Sequence, residues 1–231
     1  MTGRLKFFGE GLPYLDVADA TGTLITVEGT DSVGRTTQIA MLREWLELRG
    51  HGVIETGWTR SELAGATITR AKEIRALNKF TYALLYAADF ADRLEKEILP
   101  ALRGGFTVLA DRYVFTAFAR ALVRGADTRW VRDLYGFAPM PDLVIYLKAD
   151  VATVIRRAIP RGTIDPFEAG MDIGLGDDLY DSFKKYQSML IAEYNRMADE
   201  FSFHTVDATA DREAIQHRLR QIVGDFFESR K

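Results

Sequence analysis

The chain has 231 residues, enough to bury a substantial core, with 30 Lys and Arg against 33 Asp and Glu and a formal net charge of −3. That balance argues against a broad basic face for nucleic acid, yet it leaves room for a small phosphorylated ligand, which needs only a few local cations and N–H groups. Cysteine is absent, which excludes disulfides, thiolate metal sites and a cysteine nucleophile, and no run approaches the roughly 20 apolar residues of a membrane span.

In chain order, residues 1–22 carry Glu10, Asp16 and Asp19 and no apolar core of signal-peptide length. They read as an extension ahead of the first strand, and the expected compartment is the cytoplasm. Residues 24–28 (LITVE) form a short β-branched run that ends in a glycine loop. An amphipathic helix is expected over 36–49, with Ile39, Leu42, Trp45, Leu46 and Leu48 near one side and Gly50 and Gly52 ending it. A second strand follows at 53–56, then helices over 61–77 and 80–99, the latter stopped near Pro100.

Residues 106–110 (FTVLA) and 143–147 (LVIYL) are continuous apolar runs of strand length, the second preceded by Pro139 and Pro141. Between them, 114–123 and 128–135 read as helical, and 151–158 as a further short helix. Residues 159–177 hold two prolines and four glycines, a composition too uneven for core, and read as a flexible lid. A helix over 179–200, a strand at 203–206 and a closing helix over 212–227 complete the pattern. Alternating strands and helices predict an α/β fold with a mostly parallel sheet, one domain over 23–231 with one flexible insert.

The strongest motif is GTDSVGRT at 29–36, a G-x-x-x-x-G-K-[ST] phosphate loop in which Arg35 stands for the lysine. A strand feeds it and a helix leaves it. Gly29 and Gly34 allow backbone angles that a Cβ would obstruct, so the N–H groups of Thr30, Asp31, Ser32, Val33 and their neighbours can turn around a phosphate. The helix beginning near Thr36 and Thr37 adds its positive end to the same anion. The Thr36 hydroxyl suits Mg²⁺. Arginine keeps the charge of lysine but is longer, planar and forked, so the exchange is not conservative. A glycine-rich turn needs no ligand of its own; the spacing and the flanking elements favour a nucleotide site.

LITVEGTDSVGRTTQ from Leu24, LLYAAD from Leu84, ILPALRGGFTVLADRYVFT from Ile98, PDLVIYL from Pro141 and HTVDAT from His204 occur in this order. Together they resemble thymidylate kinases, from Leu24 to about Ala208. The resemblance implies a P-loop NTPase-type fold with a five-stranded parallel sheet and a lid. It implies transfer of the ATP γ-phosphate to a deoxynucleoside monophosphate, most simply dTMP, with Mg²⁺ and a homodimer.

By the same resemblance, Asp31 contacts the acceptor sugar and Tyr86 stacks on its base. Asp111 lies beside Mg²⁺ and the phosphates, and Arg112 grips the acceptor phosphate, as a planar guanidinium can. Three departures stand out. Phe90 occupies the position of an arginine that reads the thymine edge, and Arg93, one turn on, is a substitute for it. Thr56-Gly57-Trp58 replaces an Arg-Glu-Pro segment that touches the acceptor phosphate. Pro166 replaces a lid arginine, which leaves Arg161, with Arg157 just before the lid, to supply positive charge at the moving phosphoryl group. Rival readings are a kinase with another acceptor, or a nucleotide-binding protein without transfer activity; no membrane or nucleic-acid partner is expected.

Overall fold

The computed structural model describes residues 5–14, 17–74, 78–161 and 164–230. Residues 1–4 and 15–16 of the expected N-terminal extension lie outside the described residues. Five strands, β1 (Thr23–Glu28), β2 (Val53–Gly57), β3 (Thr107–Asp111), β4 (Leu143–Lys148) and β5 (His204–Asp207), form one parallel sheet in the order β2-β3-β1-β4-β5, flanked by helices. The chain divides into two compact units: Met1–Thr26 with Leu46–Asp142, and Val27–Trp45 with Leu143–Lys231.

In the first unit, β2 runs parallel to β3 with Val53 opposite Thr107 and Gly57 opposite Asp111. Its helices are α2 (Gly65–Ile74), α3 (Lys79–Arg93), α4 (Leu99–Arg103), α5 (Val114–Val123) and α6 (Thr128–Leu134). Asn78 caps α3 by accepting from the N–H groups of Phe80 and Thr81, and Asp127 caps α6 through Trp130 N. The helix was expected to stop near Pro100, but it continues to Arg103. A π-helical stretch, Leu94–Ile98, lies between α3 and α4, and Leu99 N bonds Leu94 O, five residues back. Widening the ladder there moves the carbonyls that a proline ring would strike, so Pro100 sits in the first turn of α4 without breaking the rod.

The N-terminal segment is anchored in this unit. Phe7 bridges Pro139, Phe8 N donates to Ala138 O at 3.0 Å, and the Phe8 ring meets Phe115 edge-on at 5.4 Å. The start of β1 is locked by a reciprocal pair. Leu24 N donates to Asp142 Oδ2 at 2.9 Å while Asp142 N donates to Leu24 O at 2.8 Å.

In the second unit, β4 pairs β5 in parallel, with Ile145 opposite His204. Around this pair the chain carries α1 (Arg35–Glu47, whose last two residues fall in the first unit), α7 (Val151–Ala158), α8 (Leu179–Glu200) and α9 (Arg212–Glu228). Asp150, Asp178 and Asp211 cap the last three by accepting from the backbone three residues on. Tyr146 of β4 stacks on Tyr194 of α8 at 5.3 Å, and Val154, Leu190, Met197 and Leu219 are buried. Leu48 was placed on the apolar face of α1, but the helix ends one residue earlier and Leu48 is 82% exposed.

The segment expected to be too uneven for core is only partly so. Ala169 is fully buried, and the Ser182 hydroxyl donates to its carbonyl at 2.7 Å. Met171–Ile173 forms a 3₁₀ turn flanked by left-handed Gly170 and Gly174. A small alanine tucked under α8 is what the composition concealed.

Replacing Asp142 by Ala removes the acceptor of a buried N–H. Urea titration is expected to show a loss of about 1–3 kcal/mol, the cost of an unsatisfied buried donor.

Candidate functional site

The second unit holds the phosphate loop. β1 is wholly buried along its length, so the loop springs from a fixed base. Gly29 has φ +149, and a Cβ there would stand 2.7 Å from Leu147 O; glycine is required both for conformation and for space. Ser32 takes a left-handed φ of 63, and Val33 is buried, its Cγ2 3.1 Å from where a Gly29 Cβ would stand. Gly34 has φ +91, after which α1 begins at Arg35. A strained non-glycine residue inside such a loop is an expense of about 1–3 kcal/mol that a structure sustains where function needs the shape.

Arg35 is buried, and its Nη1 donates to both Gly29 O and Thr30 O at 2.6 Å. The guanidinium therefore closes on the loop's own carbonyls. Because the peptides are trans, the N–H groups of Thr30 and Asp31 face away from it. Thr30 Oγ1 is buried with no hydrogen-bond partner among the described residues, the condition in which a ligand oxygen is welcome. Thr36 and Thr37 stand exposed in the first turn of α1. Asp31 is buried, and Gln187 of α8 reaches its Oδ2 at 3.4 Å while also donating to Glu168 O at 3.0 Å. Gln187 thus touches both the phosphate loop and the segment expected to be a lid; no sequence motif marks it.

Arg157 donates to Ala208 O at 2.7 Å, tying α7 to the turn after β5. Arg161 ends the short turn Ile159–Arg161, and its side chain lies outside the described part of the structure.

The first unit holds the other group. β3 delivers Asp111, and Arg112 follows it with a left-handed φ of 69. Tyr113 is buried and donates to Pro139 O at 2.9 Å, and its own carbonyl accepts from Trp58 Nε1 at 3.1 Å. Trp58, Tyr86 and Phe90 form an aromatic cluster, with Trp58 at 5.4 Å from Tyr86 and 5.8 Å from Phe90. Tyr86 is 7% exposed and Phe90 wholly buried, so Phe90 backs this wall while Tyr86 keeps a small outer face. Tyr82 and Tyr86 share a hydroxyl contact at 3.1 Å. Burial, then Tyr86, push the Tyr82 phenol far above its usual range, with Arg120 and Arg124 opposing, so it keeps its proton.

Arg93, the substitute base reader of the sequence, is committed elsewhere. It is 2% exposed, with Nε on Asp89 Oδ2 at 3.0 Å, Nη1 on Thr56 Oγ1 at 3.0 Å, and its guanidinium 5.1 Å from the Trp58 ring. Asp89 is fully buried and also accepts from Thr59 N and Ser61 N. The i, i+4 spacing of Asp89 and Arg93 on α3 makes the two side chains neighbours on one face of the helix.

The sequence model of the family described as thymidylate kinase matches residues 27–219. The chain is 38% identical over 211 residues to a protein named probable thymidylate kinase 2 from Saccharolobus solfataricus, spanning 90% of this chain and 98% of that one. A thymidylate kinase from Clavibacter sepedonicus is 36% identical over 214 residues, 87% and 93% of the two chains. A probable thymidylate kinase from Archaeoglobus fulgidus is 30% identical over 209 residues, 90% and 98%.

The chain belongs to the thymidylate kinase family. It is a nucleoside-monophosphate kinase, and the matched span covers both groups of residues described above, from the phosphate loop through α8. Within this thymidylate kinase family member, the buried Asp89–Arg93 pair organises the wall behind Tyr86.

Asp89→Ala leaves the Arg93 guanidinium buried and uncompensated. Urea denaturation is expected to show a loss of about 3–5 kcal/mol, whereas an ordinary exposed pair would cost under about 1 kcal/mol.

Proposed function

We propose that this chain transfers the γ-phosphoryl group of ATP to a deoxynucleoside monophosphate, with dTMP as the principal acceptor and dTDP as product. The observation that carries the reading is the phosphate loop: a glycine-hinged turn between a buried strand and a helix, with a cation fixed inside it. The near full-length similarity to proteins named thymidylate kinase supports dTMP as the acceptor.

In this reading the triphosphate tail lies on residues 29–37. The Thr36 hydroxyl and the Asp111 carboxylate are hard oxygen donors of the kind Mg²⁺ takes, and such an ion supplies charge neutralisation to the phosphates when bound. On the acceptor side, Asp31 meets the sugar, Tyr86 stacks on the base with Phe90 behind it, and Arg112 grips the phosphate. Residues 159–177 act as the lid, excluding water so that ATP is not hydrolysed, and Arg161 brings positive charge to the group in flight. The acceptor phosphate oxygen attacks in line and is already ionised, so no general base is needed.

Two features bear on the finer points. Phe80 and Leu84 of α3 are 55% and 40% exposed, and Phe80 stacks on Trp130 at 5.3 Å; an apolar surface of this kind supports a homodimer. The cytoplasm is the compartment we propose, and no helix among the described residues is long and apolar enough to cross a membrane. A second reading, the same chemistry on a different base, is favoured by one observation: Phe90 and the engaged Arg93 leave no base-reading guanidinium on α3. A site that lacks a polar reader rejects wrong bases weakly.

The test is a coupled ADP-release assay with Mg²⁺ and ATP over dTMP, dUMP, dCMP, dGMP and CMP. Turnover with dTMP is expected to lead the panel. Product from none of the five would contradict the transfer reading, and a leader other than dTMP would establish the second one.

A further inference from the structure

The segment ahead of residue 27, where the family match begins, is not an idle tail. Residues 6–11 lie along 136–140 and share four backbone hydrogen bonds with that stretch. Met140 N donates to Lys6 O at 2.7 Å, Phe8 N to Ala138 O at 3.0 Å, Gly9 N to Gly136 O at 2.9 Å, and Gly11 N to the same oxygen at 3.1 Å. Phe7 and Pro139 form the antiparallel bridge between the two. The approach is close: a Cβ on Gly9 would stand 2.8 Å from Gly136 Cα and 3.2 Å from Gly136 O. The Phe8 ring also meets Phe115 and Phe118 of α5 edge-on, at 5.4 and 5.7 Å.

Both things that this segment holds converge on Tyr113. Tyr113 is the residue from which α5 starts, and its hydroxyl donates to Pro139 O, inside the held stretch, at 2.9 Å. Its ring meets Phe90 edge-on at 5.1 Å. Next to it stands Arg112, left-handed at φ 69. A non-glycine residue keeps such a conformation only where its surroundings hold it there. While Tyr113 is pinned by Pro139 and by α5, the backbone of Arg112 cannot relax. The wall of Trp58 and Tyr86 has a separate support. Asp89 accepts from Thr59 N and Ser61 N, and the Arg93 guanidinium lies 5.1 Å from the Trp58 ring.

We propose that residues 6–11 are a strap that positions Arg112 for the phosphate of the acceptor nucleotide, with Phe8 as its positioning residue. The strap acts through Arg112 and not on the substrate itself. Its hold on 136–140 and on α5 fixes Tyr113, and Tyr113 fixes the backbone of Arg112. A forked guanidinium grips a phosphate best in one orientation, and setting that orientation beforehand lowers the ordering cost when the ligand arrives. This inference rests on the acceptor reading of Arg112 given above.

The experiment compares, by calorimetry, binding of dTMP, of thymidine, which lacks the phosphate, and of Mg-ATP. The proteins are the full chain and its variants Phe8→Ala, Phe8→Leu and Gly9→Ala, each first shown by circular dichroism to be folded at the assay temperature. Phe8→Ala withdraws the ring from α5, whereas Gly9→Ala wedges the strap away from 136–140, so the two act by different routes. Both are expected to weaken dTMP on the order of tenfold and to leave thymidine and Mg-ATP as in the parent. Phe8→Leu is expected to recover most of the loss. Should Phe8→Ala fail to fold, Gly9→Ala and Phe8→Leu carry the comparison. If dTMP binds the folded variants as it binds the parent, or weakens together with thymidine or Mg-ATP, the strap does not position Arg112. If the parent itself binds dTMP no more tightly than thymidine, the acceptor reading beneath the proposal fails instead.

Discussion

One nitrogen, Arg35 Nη1, lies 2.6 Å from two successive carbonyl oxygens, Gly29 O and Thr30 O. The geometry of the phosphate loop depends on that contact. Drawing both carbonyls to one cation rotates two trans peptides the same way and sends their N–H groups to the other side. An ammonium could carry the same charge, but a guanidinium has a longer, flat, directional head that can hold the two carbonyls and stay buried. The exchange of lysine for arginine thus adds a function to this position. The residue shapes the loop from inside as well as giving it charge.

The first unit shows the same economy with the opposite sign of charge. Asp89 is a carboxylate without exposure, placed on α3 where Arg93 can reach it from the next turn. A buried pair of this kind is weak as a source of stability compared with an apolar one. What it contributes is definition: it fixes Thr59 and Ser61 by their amides, sets Trp58 against Tyr86 and Phe90, and orders a loop that composition alone would leave adaptable. Three of the four left-handed non-glycine residues among the described residues, Ser32, Thr59 and Arg112, lie in the loops that carry these groups. Strain collects where side chains must be aimed.

How much of this was legible in the sequence differs by kind of feature. β1, β3 and β4 were readable because each is a short apolar run with glycine or proline at its border, and the phosphate loop because its spacing is specific. The helix through Pro100 was not readable, since a π-helical stretch has no composition of its own and only its widened ladder rescues the proline. The burial of Ala169 was hidden among glycines. The role of Arg93 was misjudged because spacing on a helix says which side chains are neighbours and not which partner will claim them; the amides of Thr59 and Ser61, brought up by the tertiary fold, decided it. Gln187 against Asp31 joins residues 156 positions apart, and nothing local announces it.

The central claim is that the turn after β1 holds a polyphosphate tail. Calorimetric titration of the protein with Mg-ATP, repeated with inorganic tripolyphosphate and with adenosine present as competitors, tests it most directly. The account predicts saturable one-to-one binding of Mg-ATP that tripolyphosphate displaces and adenosine barely affects. Binding that adenosine displaces while tripolyphosphate does not, or no saturable binding at all, would contradict it.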